Sequence, residues 1–438
     1  MELAGIKALV VGMAKSGFAA VELLKQHGAD VRATDLKPRE KLPPIDVPFA
    51  QQSPEVFEGA DLIVLSPDVP ADLPALEAAR RRGAKVIGEI ELAAPFLEGK
   101  IIGTTGSNGK TTTTSLIGHI LRESGVPVQV GGNIGTPVAA MVASSRPDQW
   151  NVLELSSFQL ETICRFRADI ALCLNVTQNH LDRHHTFANY TNAKARLFET
   201  QIPGSFAVLN ADDPTCVEFA ARTCASPVWF SGSRPVTPGL WLNGERIIFD
   251  GRPVMETSAI PIRGRHNVEN VMAATAAAHL AGVPLDAIAA AVRTFHAVEH
   301  RLEFVRKVGG VDFYNDSKAT SVDATLKALD AFAGGLWIIL GGKDKGSDYT
   351  LLRTPLAAKA RTALLIGKAA EKIASQIGGA VPILDVKTME AAVREAYARA
   401  TPGDTVLLAP ACASFDQFES FEHRGRVFKD LVRQLEEK

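Results

Sequence analysis

"GTTGSNGKTTTT", residues 103–114, decides how the chain folds, because it reads as a turn built to hold an anion between a strand and a helix. Gly106, Ser107, Asn108 and Gly109 lead into Lys110, Thr111 and Thr112, although the usual phosphate-loop pattern has a glycine where Thr104 stands. The physics survives that departure. Glycines let backbone N–H groups curl round a phosphate, Lys110 brings charge, and the Thr111 hydroxyl can face a magnesium ion. Upstream, "GKIIGTT" reads as a short buried strand; downstream, Leu116, Ile117, Ile120 and Leu121 recur at helical spacing up to a stop at Gly125. The loop therefore opens a helix, whose N-terminal dipole favours anions. An ordinary Gly/Thr turn is the alternative that this stretch leaves open.

The 438 residues are 46% hydrophobic, which predicts a globular chain of two or three domains at about 150 residues each. A formal charge of -2 gives no basic stripe, which argues against nucleic acid and for a phosphorylated small molecule as partner. The five cysteines (Cys164, Cys173, Cys216, Cys224 and Cys412) are scattered without CxxC spacing, as in a reduced cytosol. "MELAGIKALVVGMAKSG" lacks the charged start and cleavage site of a signal peptide, and no apolar run reaches about 18 residues. A soluble, cytoplasmic protein without a membrane span is expected.

Working outward, residues 6–35 read as strand, glycine turn, amphipathic helix ending near Gly28 and second strand ending at Asp35. That is half a Rossmann-like unit, but with only Gly12 and Gly17 of its fingerprint, since Ala14 replaces the middle glycine. Strands at "ADLIVLSP" and "AKVIGE" complete a domain over residues 1–93. A second domain, 94–298, holds the phosphate loop, strands at "WNVLELS" and "ADIALCLNV" and an Ala-rich helix. Its stretch from about Ser226 to Pro261 predicts a small antiparallel appendage. Residues 299–438 alternate strand and helix as in a parallel, doubly wound sheet, whose ligands gather beyond the strand ends. The fold class is α/β in three domains: Rossmann-like, phosphate-loop mononucleotide-binding, Rossmann-like.

Several side chains could carry chemistry. Glu154 ends the strand after the phosphate loop, where an acid can sit near a metal, unless it is merely a solvated strand end. His180 lies in "NVTQNHLDRHH" and can bind a metal or stay solvated beside His184 and His185. Lys194 falls inside the apolar arc of Tyr190, Ala193, Leu197 and Phe198. It either snorkels to water or is desolvated, so that its amine loses a proton and becomes modifiable. Arg301, at the expected junction of the second and third domains, either reaches a transferring phosphoryl group or makes a surface pair. "NDSKAT" offers Asp316 and Lys318 to a nucleotide, or its serine to a helix cap.

Taken in order, "TGSNGKTTT", "GGNIGTP", "LELSSFQLE", "NVTQNHLDRH", "AKARLFE", "GRHNVENVMAA", "EHRLEF", "NDSKATS", "LGGKDKG" and "PACASFDQFESFEHRG" resemble the Mur ligases, ATP-dependent enzymes of peptidoglycan precursor synthesis. "LELSSFQLE" with "PACASFDQF" is similar to the D-glutamate-adding branch. The resemblance implies that the first domain holds UDP-N-acetylmuramoyl-L-alanine, the second ATP and Mg²⁺, and the third D-glutamate. It gives residues 106–112 to the phosphates, with Thr111, Glu154, His180 and a carbamylated Lys194 at the metal. It gives Asn267, Asn270, Arg301, Asp316 and Lys318 to the nucleotide, and Ser16, Asp35 and Asn133 to the sugar substrate. Thr320, Lys345, Ser414 and Phe421 go to D-glutamate. Lys110, His180, Lys194 and Arg301 are the catalytic set, and a monomer is implied. Leu36 and Asp68 depart from the family pattern at the uracil and diphosphate contacts.

The reaction so implied phosphorylates the substrate carboxylate and then forms an amide. Rivals are a sibling ligase with another amino acid or a folylpolyglutamate synthetase, an oxidoreductase using the turn at Gly12, and a nucleotide switch that forms no amide.

Overall fold

The structure is a computed structural model and describes residues 1–296 and 299–437. The chain divides into two compact units, Met1–Ala259 with Val268–Thr294, and Ile260–Asn267 with Phe295–Lys438. The domain boundary expected at 298 falls on residues outside those described.

The first unit contains two sheets. Strands β1 (Lys7–Val11), β2 (Asp30–Asp35), β3 (Phe49–Gln51), β4 (Leu62–Leu65) and β5 (Lys85–Gly88) pair in parallel in the order β3-β2-β1-β4-β5. Central β4, and β1 from Ala8 onward, read as unbroken apolar runs because helices cover both faces, and Leu9, Val10, Val11, Ile63 and Val64 are fully buried. β6 (Lys100–Thr105), β7 (Val128–Gly132), β8 (Trp150–Glu154), β9 (Ile170–Cys173), β10 (Phe206–Asn210), β11 (Ser226–Ser231), β12 (Gly239–Asn243), β13 (Arg246–Phe249) and β14 (Arg252–Glu256) form the second sheet, ordered β14-β13-β12-β11-β10-β9-β6-β8-β7.

The antiparallel appendage expected from about Ser226 to Pro261 forms the far edge of this sheet, and only part of it is antiparallel. β11 lies parallel to β10 and β12 parallel to β11; only β12, β13 and β14 run antiparallel. The turn from β13 to β14 puts both Asp250 and Gly251 at positive φ, the geometry that suits a two-residue hairpin.

The second unit carries β15 (Glu303–Val308), β16 (Val311–Asn315), β17 (Leu336–Gly341), β18 (Ala360–Ile366), β19 (Ile383–Lys387) and β20 (Thr405–Leu408), ordered β15-β16-β20-β17-β18-β19. All pairings are parallel except β15 with β16, which adds an antiparallel edge that the alternating pattern from residue 311 onward does not reveal. All three sheets are thus layers of α/β folds.

Two buried acids join the sheets of the first unit. The helix Glu89–Ala93 follows β5, and both Glu89 and Glu91 are 3% exposed. Glu91 Oε2 accepts backbone N–H bonds from Cys164 at 2.9 Å and Phe166 at 2.9 Å, and Arg165 donates to the same carboxylate. Glu89 accepts from Ala139 N–H at 2.6 Å, in the short helix Val138–Met141, while its other oxygen has no partner among the described residues. Burial pushes the Glu89 carboxyl up to about 7. Its folded pKa lies above the unfolded value, so it stabilises most when protonated, and that contribution falls away as pH rises from about 4.5 to about 7. Glu89→Gln should therefore raise the unfolding free energy at pH 8 by up to about 3 kcal/mol and leave it near the parent's at pH 5. Denaturant titrations at the two pH values measure the difference; an equal change at both would reject the argument.

Candidate active site

The phosphate loop is the turn between β6 and the helix Lys110–Glu123. Gly109, the residue before that helix, has φ +83°, and a Cβ there would land on Oδ1 of Asn270. Gly106, at φ +145°, lies against Leu174. The loop is held from the side by the residues that follow β9: Ser107 N–H donates to Asn175 O at 2.8 Å, and Asn108 N–H to Asn175 Oδ1 at 2.9 Å. Ser107 Oγ completes the clasp with Thr177 O at 3.0 Å and Tyr190 OH at 2.9 Å. The Lys110 ammonium folds back over the loop onto the Gly106 and Ser107 carbonyls at 3.0 and 3.1 Å.

At the first turn of the helix, Thr111 Oγ1 donates to Glu154 Oε2 at 2.7 Å. Glu154 is 2% exposed, and Asn133 Nδ2 donates to its other oxygen at 3.0 Å. Thr112 is buried in the same turn. The strand-end acid is therefore bound to the helix that the loop opens, rather than solvated. A hydroxyl and a carboxylate side by side at a loop of this kind suit magnesium, which keeps few protein ligands and takes the rest from phosphate and water. Among the described residues no group of three or more His, Cys, Asp or Glu side chains gathers at one point, so this pair does not come with a prebuilt all-protein metal cage.

Lys194 is 1% exposed in the helix Phe187–Glu199. Its Nζ donates to Gly106 O at 2.9 Å and lies 4.7 Å from the centroid of the Tyr190 ring. Burial, and next the neighbouring charge of Lys110, bring its pKa down to about 7, so that much of the amine is neutral near neutral pH. It does not snorkel. His180 begins a short helix, Leu181–His184, with φ 53°, an exposed side chain and its ring edge-on to Phe158 at 4.9 Å. His184 is the buried histidine of that loop, bonded to Ser157 Oγ at 2.9 Å.

Toward the first sheet, the glycine turn is tight. A Cβ at Gly17 would land on the carbonyl of Gly12, while exposed Ala14 meets no such limit. Asp35 spends both carboxylate oxygens on the turn, accepting from Met13 N–H at 2.6 Å and Lys37 N–H at 2.8 Å. Ser16 is half-buried in the first turn of the helix Lys15–Gln26, and Leu36 and Asp68 are exposed.

In the second unit the loop after β16 gathers Asp316, Lys318 and Thr320. Asp316 is 8% exposed, and burial, only partly offset by Arg301 and Lys318, lifts its carboxyl to about 7. Lys318 Nζ sits 5.3 Å from the Phe421 ring centroid. Beneath the loop Arg424, fully buried, donates to Ser317 Oγ at 2.9 Å, Ser317 O at 2.8 Å and Cys412 O at 3.1 Å. Lys345 is exposed after β17, and Ser414 is buried after β20; the two loops are joined by Lys343 N–H to Ala413 O at 2.8 Å. Asn267 donates from its side chain to Arg263 O at 2.6 Å, and Asn270 packs at Gly109 in the first unit.

Sequence reasoning passes over Tyr190 and Arg424, which bond to Ser107 and to Ser317 in the loops that carry the candidate residues. Arg424 had a signal of the same kind as Lys194, since it shares the spacing of Phe428 and Val432 on the helix Phe421–Arg433. Tyr190 had none, because an aromatic on an apolar arc reads as core.

Three family models cover most of the chain. Residues 6–88 match the N-terminal domain of MurD-like Mur ligases, 104–278 the Mur ligase middle domain, and 300–412 the glutamate ligase domain of Mur ligases. The chain is 70% identical over 441 residues to the UDP-N-acetylmuramoylalanine--D-glutamate ligase of Solibacter usitatus, with 100% of each chain covered. It is 52% identical to the protein of that name from Acidobacterium capsulatum, covering 99% of this chain and 97% of that one. In fold it is similar to a UDP-N-acetylmuramate-alanine ligase from Thermotoga maritima, with TM-score 0.62 and 18% identity over 98% of this chain and 99% of the other.

The crowding at Gly109 sets a test of the loop. Gly109→Ala combines a left-handed backbone with a collision at Asn270, and should weaken nucleotide binding more than tenfold while lowering stability by about 1–2 kcal/mol. Calorimetric titration with ATP beside a melting curve separates the two effects; unaltered ATP affinity would mean that the loop does not hold the nucleotide.

Proposed function

The chain belongs to the Mur ligase family, and from that membership together with the loop geometry we propose that it joins D-glutamate to UDP-N-acetylmuramoyl-L-alanine with ATP as phosphoryl donor. The observation that carries the reading is the anion loop with Thr111 bonded to Glu154 at its helix start. A carboxylate cannot be aminated directly at neutral pH, because oxide is not a usable leaving group. In the first step a carboxylate oxygen of the sugar substrate attacks the γ-phosphorus, and the bond to the bridging oxygen breaks with its electron pair leaving on ADP. In the second the neutral amine of D-glutamate attacks the acyl carbon, and phosphate departs with the C–O electron pair while the nitrogen gives up a proton.

Residues 106–112 receive the phosphates, and Lys110 offsets the charge that develops on the transferring group. Thr111 and Glu154 are the residues that would hold Mg²⁺, which supplies neutralisation of the nucleotide phosphates. We assign Lys194 to the same centre as a carbamate. The neutral amine adds to carbon dioxide, an N–C bond forms and one proton leaves, turning a cation into a carboxylate-like oxygen donor. The depressed pKa and complete burial of Lys194 favour that chemistry. His180 belongs to the reacting end of the site. Asn270, Asn267, Arg301, Asp316 and Lys318 are assigned to the nucleotide. Ser16, Asp35 and Asn133 are assigned to the UDP-sugar, and Thr320, Lys345, Ser414 and Phe421 to D-glutamate. The same reading makes the enzyme a cytoplasmic monomer, and no described helix is long and apolar enough to cross a membrane.

Hydroxylamine added with ATP, Mg²⁺ and UDP-N-acetylmuramoyl-L-alanine, but no D-glutamate, should yield a hydroxamate with release of ADP. Its absence from active, folded protein would remove the acyl phosphate from the reaction. Lys110→Ala should abolish that product while leaving the melting temperature close to the parent's. For Lys194, carbon-13 NMR in labelled bicarbonate should show one carbamate carbon that disappears in Lys194→Ala; identical spectra from both proteins would reject the modification.

A further inference from the structure

Arg183 stands three residues after His180, on the same short helix, and its guanidinium is spent on both sheets of the first unit. It pairs with Glu161 at two points, Nη2 to Oε2 at 2.8 Å and Nε to Oε1 at 3.3 Å, with the two side chains only 11% and 17% exposed. It also donates to the carbonyls of Val69 at 2.8 Å and Asp68 at 3.2 Å, in the loop that follows β4. Its carbon Cζ lies 5.0 Å from the centroid of the Phe158 ring, against which the His180 ring also rests.

The far end of this chain of contacts is the glycine turn. Ser66 Oγ donates to Gly12 O at 2.6 Å, and a Cβ at Gly12 would meet Val69 Cγ2 at 2.9 Å and Ser66 Cβ at 3.0 Å. A side chain at Gly12 would require Val69 or Ser66 to shift, so the turn and the 66–69 loop are in close contact. A displacement of that loop is therefore felt at Gly12 on one side and, through Arg183 and Phe158, at His180 on the other. A planar fork suits this task, because it satisfies a carboxylate and two carbonyls at once; an ammonium on a flexible stem cannot.

We propose that Arg183 is a positioning residue that fixes the separation between the glycine turn, beside which Ser16 and Asp35 are assigned above to the UDP-sugar, and the reacting end at His180, and so sets the affinity for a substrate that spans both. The inference rests on the function proposed above. A ligand that reaches only the first sheet has no use for that separation; one that carries its carboxylate on to His180 does.

Binding of UDP-N-acetylmuramoyl-L-alanine and of UDP alone is measured by calorimetry on the full chain, and KM and kcat are measured for all three substrates. Arg183→Ala should raise the Kd and KM for the sugar substrate about tenfold, with the Kd of UDP and the KM of ATP and of D-glutamate within about twofold. Arg183→Lys, which keeps the charge opposite Glu161, should lie between parent and alanine variant at about threefold. A merely structural role would lower melting temperature and active fraction without that selective change. Should the alanine variant not fold, the lysine variant decides, and a sugar-substrate Kd equal to the parent's overturns the inference. If the parent binds the sugar substrate and the alanine variant binds it as well as the parent, Arg183 has no positioning role, while the proposed function stands. If the parent does not bind it, the proposed function fails and the inference with it.

Discussion

A lysine amine sealed from water, with Gly106 O at 2.9 Å and Thr105 Oγ1 at 3.4 Å as its acceptors, is out of place in a protein interior, and the phosphate-loop site is arranged around that fact. Lys194 donates to Gly106 O and lies over Tyr190, with its charge opposed both by burial and by Lys110. Either the amine sheds its proton, or an anion must arrive to balance it. The loop it touches is the one that receives phosphate in the proposed reaction. Burial brings the pKa of this amine down to about 7, so it gives up its proton readily near neutral pH. Tyr190 seals the amine with its ring and at the same time binds Ser107 of the loop, so that the two features cannot be moved apart independently.

Much of this was legible in the sequence, and for physical reasons. A turn of glycines before Lys110 has few uses other than an anion, and the helical spacing of Leu116 to Leu121 places it at a helix start. Lys194 stood out because a charge on an apolar arc needs an account. Long parallel sheets announced themselves through apolar runs such as "LWIILG" in β17, all six residues of which are buried. What stayed hidden depends on partners remote in sequence. Nothing local says that the 226–231 segment pairs in parallel with β10, because strand order is set by the crossover and not by the strand. Nothing local distinguishes His184, buried on Ser157, from the exposed His180 and His185 around it, because the partners that hold it, Ser157 Oγ and the Glu161 carboxylate, come from more than twenty residues earlier in the chain. Arg424 could have been found by the reasoning that found Lys194, since both sit on buried helical arcs.

The two departures at the first sheet have a common explanation in geometry. The usual glycine of the fingerprint is dispensable where Ala14 stands, because that position is exposed, whereas Gly17 is not, because any side chain there would strike the Gly12 carbonyl. Within the protein, a side chain is excluded at Gly17 and tolerated at Ala14. Leu36 and Asp68 are likewise exposed and contribute main chain rather than side chain to the contacts around them: Leu36 through its carbonyl to Gln51, and Asp68 through its carbonyl to Arg183. Side-chain identity at such positions is free to drift as long as the backbone path is preserved.

Preorganisation of the phosphate loop has a cost as well as a use. The N–H groups of Ser107 and Asn108 already bond to Asn175, and the Lys110 ammonium already covers two loop carbonyls. A phosphate that engaged Lys110 would exchange ammonium–carbonyl bonds for ammonium–phosphate bonds, and the full negative charge on the phosphate oxygen, against the partial charge on a carbonyl, favours that exchange. The Asn175 bonds do not have to break, since they set the path of the loop and leave the helix start to meet the anion. A loop whose shape is fixed by its neighbours loses little conformational entropy on binding, and more of the phosphate's interaction energy remains for the transferring group.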